Sequence, residues 1–310
     1  MKRYQRILVC IEEPERDRGM LHYVGTICRA AETKEVHLLH VETEKPQLME
    51  ELKEVGAAKS PVTSDTLKDL AANQLTGHGN EKVICKVVSG APLIEILRYM
   101  HDQDIDLIVI GRRAGGGKDT EHEAALARRI TRKATCSVLV LPEDAKAKMD
   151  KILAPVRDSE CSANALEMAC RIAEISKGTA ICLTVFEVHS GYLSIGTSLE
   201  EHTAIMEKWA QRECEQLLER VDKGSANIEI KCLPDLYRKP VPIILDVEEG
   251  ESADLVVIGA RGRTGAAGVL LGKVPEKLIQ QSSLPLLAVK KKGECLGLVQ
   301  ALLSLAGEGE

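Results

Sequence analysis

The stretch DLVVIGARGRTGAAGVLLGKVPEKLIQQSSLPLLAV, residues 254–289, predicts a strand, a glycine-rich loop, a helix and a second strand in that order. Leu255–Ile258 is a continuous apolar run, which is typical of a strand buried on both faces of a parallel sheet. A helix can begin near Val274, because Pro275 then lies in the first turn, where its missing N–H costs little. Leu284–Val289 provides the next apolar strand. The segment is therefore predicted to form a β-loop-α-β unit.

The loop of this unit holds the best candidate site. In a parallel sheet it leaves the carboxyl end of one strand and meets a helix N-terminus, where free backbone N–H groups and the helix dipole favour an anion such as phosphate. Glycine also lets the backbone approach a ligand closely. The glycines of the loop are Gly259, Gly262, Gly265, Gly268 and Gly272.

The same order of elements occurs earlier in the chain. DLIVIG at residues 106–111 precedes DLVVIG at residues 254–259 by 148 positions. The same offset relates SVLVL at 137–141 to PLLAV at 285–289, so the chain is a tandem duplication. Each copy alternates helices with five predicted strands, which is typical of a parallel sheet covered on both faces. The predicted fold class is α/β, with two tandem five-stranded parallel-sheet sandwiches.

The repeat sets the predicted domain boundaries. They are residues 1–142 for the first domain, 143–150 for a linker, 151–290 for the second domain and 291–310 for a C-terminal tail. Leucines in the tail recur at helical spacing. We expect a helix that packs on its own chain, and the alternative is a helix that docks to a second subunit or another protein.

Charge and composition restrict the classes of partner. A formal net charge of −6, with one Phe, one Trp and five Tyr, argues against nucleic-acid binding, which usually needs a basic surface and aromatic side chains for base stacking. The N-terminal sequence MKRYQRILVCIEE has only a short apolar run, so neither a signal peptide nor membrane insertion is predicted. The expected location is cytoplasmic.

Cysteine and histidine spacing gives no metal or disulfide motif. The ten cysteines never approach a C-x-x-C spacing, and we expect most of them to be small buried side chains in a reducing compartment. His37 and His40 form an H-x-x-H pattern, but on a strand this offset places them on opposite faces. Structural or solvent-exposed roles are therefore predicted for both histidines.

The repeated segments resemble the universal stress protein family, as two domains in tandem over residues 3–290. Nucleotide-binding members of that family carry G-x2-G-x9-G followed by Ser or Thr after the fourth strand. Gly259, Gly262 and Gly272 keep this spacing, and Lys273 replaces the Ser or Thr. The resemblance implies a Rossmann-like fold of the adenine nucleotide alpha hydrolase type.

The resemblance also implies which residues surround an adenine nucleotide, with ATP as the expected ligand and only in the second domain. Residues that would flank adenine and ribose are Pro155, Val185, Ile258 and Arg261. Residues that would surround the phosphates are Gly262, Gly272, Lys273 and Val274. Arg157 and Gly259 complete the predicted set, and a bound metal is left open.

Arg157 is one of two departures from the family pattern in the second copy. The family's opening strand ends in Val-Asp-Gly-Ser, whereas VRDS at 156–159 has arginine where the aspartate would bind ribose hydroxyls or help to hold a cation. Arg157 can pair instead with phosphate or with a nearby carboxylate such as Asp158. Lys273, the second departure, either binds an anion at the helix N-terminus or points into water. Arg261 either contacts phosphate or is a solvated loop charge.

The first copy departs further from the family pattern. RRA at 112–114 follows Gly111, so the second motif glycine is lost, and Ala124–Ala125 stand where Gly272–Lys273 lie in the other copy. Glu12 occupies the position at the end of the opening strand. We predict a degenerate domain that does not bind nucleotide and is used for contacts.

The family's mode of association implies a pairing of last strands. Universal stress domains generally pair in this way, so residues 137–141 and 285–289 are expected to form an intrachain pseudo-dimer, and covering an edge strand favours such pairing. A homodimer of two tandem chains is expected in addition.

Three functions are compatible with the sequence. The first is a regulator that binds ATP or a related adenine nucleotide in the second domain. The alternative is an interaction module without nucleotide, docking to another protein or a transporter. Slow ATP hydrolysis is less expected, because neither opening loop has the S-G-G-x-D-S pattern of related hydrolases and no catalytic set is visible. No catalytic residue is predicted.

Overall fold

The computed structural model describes residues 4–43, 61–75, 82–112, 118–188, 196, 198–260 and 271–291. The strands are β1 Arg6–Ile11, β2 Glu35–Glu42, β3 Lys82–Ser89, β4 Leu107–Arg112, β5 Ser137–Pro142, β6 Lys151–Pro155, β7 Thr179–Glu187, β8 Asn227–Asp235, β9 Leu255–Gly259 and β10 Leu286–Val289. The helices are α1 Arg18–Ala31, α2 Ser64–Gln74, α3 Pro92–Asp102, α4 Lys118–Lys133, α5 Glu160–Ser176, α6 Leu199–Glu219, α7 Pro240–Gly250 and α8 Lys273–Gln281. The alternation of strands and helices confirms the predicted α/β class.

The chain divides into two compact units. The first contains β1 to β4 and α1 to α4, and the second contains β5 to β10 and α5 to α8. In the first unit, β2 pairs with β1 and β3, and β1 also pairs with β4, all in parallel. The strand order of this unit is therefore β3-β2-β1-β4, with β2 and β1 at its centre.

The second unit has the strand order β5-β10-β9-β6-β7-β8. All of its pairings are parallel except that of β5 with β10, which is antiparallel and places Leu139 opposite Leu287. This pairing confirms the prediction that the last strands of the two repeats associate. It also places the fifth strand of the first repeat inside the second unit, and the boundaries at 142 and 151 stay a prediction.

Burial of the strands follows their position in each sheet. β9 and β10 are buried along their whole length, as expected for apolar parallel strands covered on both faces. The edge strands β3 and β8 are partly exposed and carry charged residues such as Lys86 and Lys231. Charged side chains on an edge strand discourage pairing with other chains.

Local signals in the sequence define where several helices begin. Pro92 and Pro240, which occupy equivalent positions in the two repeats, are the first residues of α3 and α7. Ser159 caps α5 by accepting a hydrogen bond from the Ser162 N–H. Ser198 and Glu201 form a capping box at the start of α6. The predicted helix in the tail lies outside the described residues.

An aspartate at the start of each DLxVIG strand anchors it to its neighbour. The Asp254 side chain is 12% exposed, and its Oδ1 lies 3.3 Å from Lys148 Nζ. Its Oδ2 accepts hydrogen bonds from the backbone N–H groups of Asp150 at 2.9 Å and Lys151 at 3.0 Å. In the first unit, Asp106 Oδ2 accepts a bond of 2.9 Å from the Arg6 N–H. The repeated aspartate therefore fixes where β9 lies against β6 and β4 against β1.

The two histidines of β2 have structural contacts. His37 is buried, with Nδ1 3.0 Å from the Tyr99 hydroxyl, and burial lowers the pKa of its imidazole. His40 Nδ1 lies 2.9 Å from the Ile11 carbonyl oxygen. The prediction of structural roles is confirmed for His37. Within the described residues, no group of three or more His, Cys, Asp or Glu is arranged to hold a metal, and no helix is long and apolar enough to cross a membrane.

Candidate functional site

The topology of the second unit defines a crevice between β6 and β9. The chain leaves β6 through α5 toward β7, and it leaves β9 through α8 in the opposite direction, toward β10. Right-handed crossovers in opposite directions put the two helices on opposite faces of the sheet. Ligands of open α/β sheets bind at such a switch point, outside the carboxyl ends of the strands. The residues of the predicted site that the structure describes lie around this crevice.

Apolar residues lie near the carboxyl ends of three neighbouring strands at the crevice. Ile258, Pro155 and Val185 belong to β9, β6 and β7, which are adjacent in the sheet, and all three are buried. The structure therefore brings together the predicted adenine-flanking residues that it describes. Arg261 and Gly262 lie outside the described residues and stay predictions.

Gly259 is required by a close approach of helix and strand. A Cβ atom at this position would lie 2.6 Å from the Cys161 carbonyl oxygen and 2.7 Å from its carbonyl carbon. These are backbone atoms of the first turn of α5, which cannot move away as a flexible side chain would. The glycine therefore allows α5 to begin directly beside the end of β9.

The N-terminus of α8 forms the second wall of the crevice. Gly272 is the N-cap residue and has no side chain to cap the helix, and its own N–H donates to the Ala260 carbonyl at 3.1 Å. The first helical residue is Lys273, which is exposed, and Val274 is half-buried. Pro275 has no N–H, and the Glu276 N–H donates to the Gly272 carbonyl at 3.0 Å. The N–H groups of Lys273 and Val274 have no acceptor within the helix, so these two are available to an anion.

The turn between β6 and α5 is held by two serines. The Arg157 N–H donates to Ser162 Oγ at 3.1 Å, and the Ser162 N–H donates to Ser159 Oγ at 3.1 Å. These bonds leave the Arg157 side chain outside the turn, 59% exposed. The turn is therefore ordered without the glycine that the family carries at the third position of its motif.

Arg157 pairs with a carboxylate that the sequence does not indicate. Its guanidinium lies 3.6 Å from the Glu187 carboxylate at the end of β7. Asp158, the neighbour suggested by the sequence, instead accepts a 2.5 Å hydrogen bond from Arg220. The partners differ because Asp158 faces the end of α6, whereas Arg157 reaches across the carboxyl ends of the strands. Sequence reasoning missed both Glu187 and Arg220, since neither belongs to a motif.

In the first unit, an acidic side chain binds the backbone N–H groups at the carboxyl end of β1, the strand equivalent to β6. Asp17 Oδ2 accepts hydrogen bonds from the backbone N–H groups of Glu12 at 2.8 Å and Glu13 at 3.0 Å. A Cβ atom on Gly111, the counterpart of Gly259, would lie 3.7 Å from Asp17 Oδ1. A protein carboxylate thus occupies the N–H groups at the end of β1. The corresponding N–H group in the second unit, that of Arg157, donates to Ser162 Oγ, so this turn is capped by a side chain in both units. The interpretation of the first copy as a domain without nucleotide stays a prediction.

Asp17 also makes a pH dependence testable. Burial raises its pKa from 3.8 to about 6, although the backbone hydrogen bonds act in the opposite direction. The folded protein therefore binds a proton near pH 5 that the unfolded chain does not, so this group stabilises the fold more as pH falls through 6. The free energy of unfolding of the wild type, relative to Asp17→Asn, is expected to increase from pH 7 to pH 5 in urea titrations. An identical difference at both pH values would contradict the raised pKa.

Comparison with known proteins identifies the family of the chain. The model of the universal stress protein family matches residues 3–142 and 148–290. A universal stress protein from Methanocaldococcus jannaschii is 28% identical over 142 residues, which are 46% of this chain and 82% of that protein.

Two solved structures share the fold over nearly the whole chain. The alignment with a universal stress protein from Archaeoglobus fulgidus covers 93% of this chain and 98% of that one, with a TM-score of 0.62 and 16% identity. The alignment with a functionally unknown protein from Pseudomonas aeruginosa covers 98% of each chain, with a TM-score of 0.66 and 19% identity. On the strength of the two family matches, which together span both repeats, this chain belongs to the universal stress protein family.

Proposed function

We propose that the second domain binds an adenine nucleotide, with ATP as the first candidate, and that the protein acts as a regulator. The observation that carries the proposal is the crevice between β6 and β9, which ends at a helix N-terminus without a capping side chain. This combination provides an apolar surface and an anion site next to each other. A nucleotide needs both, for its base and its phosphates.

Each part of the nucleotide has a matching group in the crevice. The buried ends of β6, β7 and β9, with Pro155, Val185 and Ile258, provide an apolar surface for the base. The backbone N–H groups of Lys273 and Val274 at the start of α8 can donate to phosphate oxygens, and the Lys273 side chain supplies a positive charge at the same end. A cation at a helix N-terminus is unfavourable by itself and becomes favourable when an anion lies between the two.

Arg157 does not prevent binding in this proposal. Its pair with Glu187 is solvent-exposed on both sides, and an exposed ion pair of this kind contributes at most about 1 kcal/mol. A phosphate can therefore recruit the Arg157 guanidinium at little cost. The ribose contact that the family's aspartate makes is lost, and we accordingly expect a weaker nucleotide complex than in members that keep the aspartate.

Calorimetric titration of ATP into the purified protein tests the proposal. We expect binding to the wild type and at least about tenfold weaker binding to Gly272→Asp, because the new carboxylate caps α8 itself and repels phosphate. The same substitution at Gly250, where an added Cβ atom would have no neighbour within 4 Å, is the matched control and should leave binding unchanged.

The titration also has an outcome that rejects the proposal. If the wild type shows neither heat nor a thermal shift at millimolar ATP, the second domain does not bind this nucleotide. Because aspartate is a favourable N-cap residue, Gly272→Asp is expected to fold, and its thermal transition serves to verify this.

The alternative function is an interaction module without nucleotide. One observation favours it: Ile205 and Trp209, one turn apart on α6, are 47% and 61% exposed. Exposed apolar side chains that lie together often mark a contact with another protein. Homodimerisation, a partner bound through the C-terminal tail and a cytoplasmic location stay predictions, and slow ATP hydrolysis stays the least expected activity.

A further inference from the structure

Three cysteines meet between the sheet and a helix in the second unit. Cys182 lies on β7, Cys232 on β8 and Cys214 on α6. Thr184 pairs with Cys232 in the parallel register of β7 and β8, so these two residues share a face of the sheet. Cys182 is two residues before Thr184 and therefore lies on the same face. We call Cys182, Cys214 and Cys232 the thiol cluster.

The thiol cluster is close enough for its members to interact. The Sγ atoms of Cys182 and Cys214 are 3.9 Å apart, and Thr184 Oγ1 lies 2.8 Å from Cys214 Sγ. Cys182 is 0% exposed and Cys214 is 1% exposed. Cys232, on the edge strand β8, is only half-buried, so it is the member of the cluster that is most exposed to solvent.

The surroundings of Cys214 favour its thiolate. Hydrogen bonding with Cys182, Cys232 and Thr184 lowers the pKa of Cys214, whereas burial acts in the opposite direction. The same interactions, together with burial, raise the pKa of Cys182 and Cys232. Cys214 is thus the first thiol of the cluster to ionise, and the thiolate is the reactive form of cysteine.

We propose that the thiol cluster is a reversible oxidation site, at which a small peroxide converts Cys182 and Cys214 into a disulfide. The Cys182–Cys214 pair is chosen because these two sulfurs are in direct contact. In this pair Cys214 supplies the thiolate that meets the peroxide, and Cys182 supplies the second thiol that closes the disulfide.

The chemistry needs one peroxide for each disulfide. The Cys214 thiolate attacks one oxygen of hydrogen peroxide, and the O–O bond breaks. Cys214 becomes a sulfenic acid, and the second oxygen leaves as hydroxide. The Cys182 thiol gives its proton to hydroxide, which leaves as water. The Cys182 sulfur then attacks the Cys214 sulfur, and the sulfenic oxygen leaves as hydroxide and takes the proton released when Cys214 ionised. Two thiols are oxidised, and the peroxide is reduced to two waters.

Disulfide formation would join α6 to β7 covalently. The two sulfurs must move from 3.9 Å to about 2.0 Å, and the new bond closes a loop between positions that are 32 apart in sequence. Closing a loop of this length restricts the unfolded chain and stabilises the fold. Oxidation therefore is expected to make the second unit more resistant to thermal unfolding.

Peptide mapping of the full-length protein tests the proposal without any variant. The protein is treated with hydrogen peroxide, denatured with an alkylating agent present, digested and analysed by mass spectrometry. We expect a linked peptide pair that contains Cys182 and Cys214 and that disappears after dithiothreitol treatment. A Cys214 that is still fully alkylated, or one that is linked to Cys232 instead, would overturn the assignment.

Two variants relate the disulfide to stability. Cys214→Ser should lose the peroxide-induced rise in melting temperature, while Cys170→Ser should keep it, because Cys170 is buried on the neighbouring helix α5 and is not among the groups that hydrogen-bond to Cys214. The melting temperature is compared before and after peroxide in each protein. A rise of equal size in Cys214→Ser would contradict the proposal.

Discussion

Gly259→Ala is expected to destabilise the second unit by about 3 kcal/mol, the upper end of the usual cost of overpacking a core. The added methyl group would lie 2.6 Å from the Cys161 carbonyl oxygen. This clash can be relieved only if α5 moves away from β9, because the atoms nearest to the new methyl group belong to the Cys161 backbone. Such a movement would also disturb the crevice that holds the proposed nucleotide.

Gly111→Ala is the matched control, since it makes the same change at the same position of the repeated DLxVIG segment. Its new methyl group would meet Asp17 Oδ1 at 3.7 Å, which is an ordinary contact. We expect a change below about 1 kcal/mol, because the methyl group is accommodated and alanine restricts the unfolded chain more than glycine. Urea denaturation of both variants measures the difference. Equal losses of stability would show that the approach of α5 is not the reason for Gly259.

Asp254→Ala is expected to cost about 2 to 3 kcal/mol, the scale of hydrogen bonds that involve a charged group. The variant removes the acceptor of two backbone N–H groups at the start of β6 and the partner of Lys148. The loss of stability is smaller than the contribution of two buried hydrogen bonds, because water can reach the Asp150 N–H.

Asp254→Asn separates the hydrogen bonds from the charge. An amide oxygen can still accept from the backbone, and the ion pair that is lost involves a lysine that is more than half exposed. We therefore expect a loss of less than about 1 kcal/mol, measured by the same urea titration. An asparagine variant as unstable as the alanine variant would mean that charge, and not the backbone hydrogen bonds, is the main contribution of Asp254.

The fold was largely predictable because its signals are local. Apolar runs marked the buried strands, and Pro275 marked the first turn of the helix predicted from near Val274, which begins at Lys273. The repeat of the DLxVIG segment then gave the order of elements twice. The long-range pairing of β5 with β10 followed from the family resemblance, since sequence spacing alone does not specify the partner of an edge strand.

The strands and the helix around the predicted site were predictable, whereas the contacts of its side chains were not. The nucleotide site that the glycine spacing predicts after β9 stays a prediction. Arg157 could reach several carboxylates, and only the folded chain shows that Glu187 is the one nearby. Asp17 lies beyond the motif positions of the first copy, so its hydrogen bonds at the end of β1 were not anticipated. Cysteine spacing was uninformative for a similar reason, because Cys182 and Cys214 are 32 positions apart and meet only through tertiary packing.

The antiparallel pairing of β5 with β10 bears on how the duplicated gene has been retained. β5 is encoded by the first repeat, yet it covers the edge of β10 in the second unit. Losing the first repeat would therefore leave an apolar strand edge open to aggregation. Natural selection can thus preserve the first copy for the strand that it supplies to its sister domain.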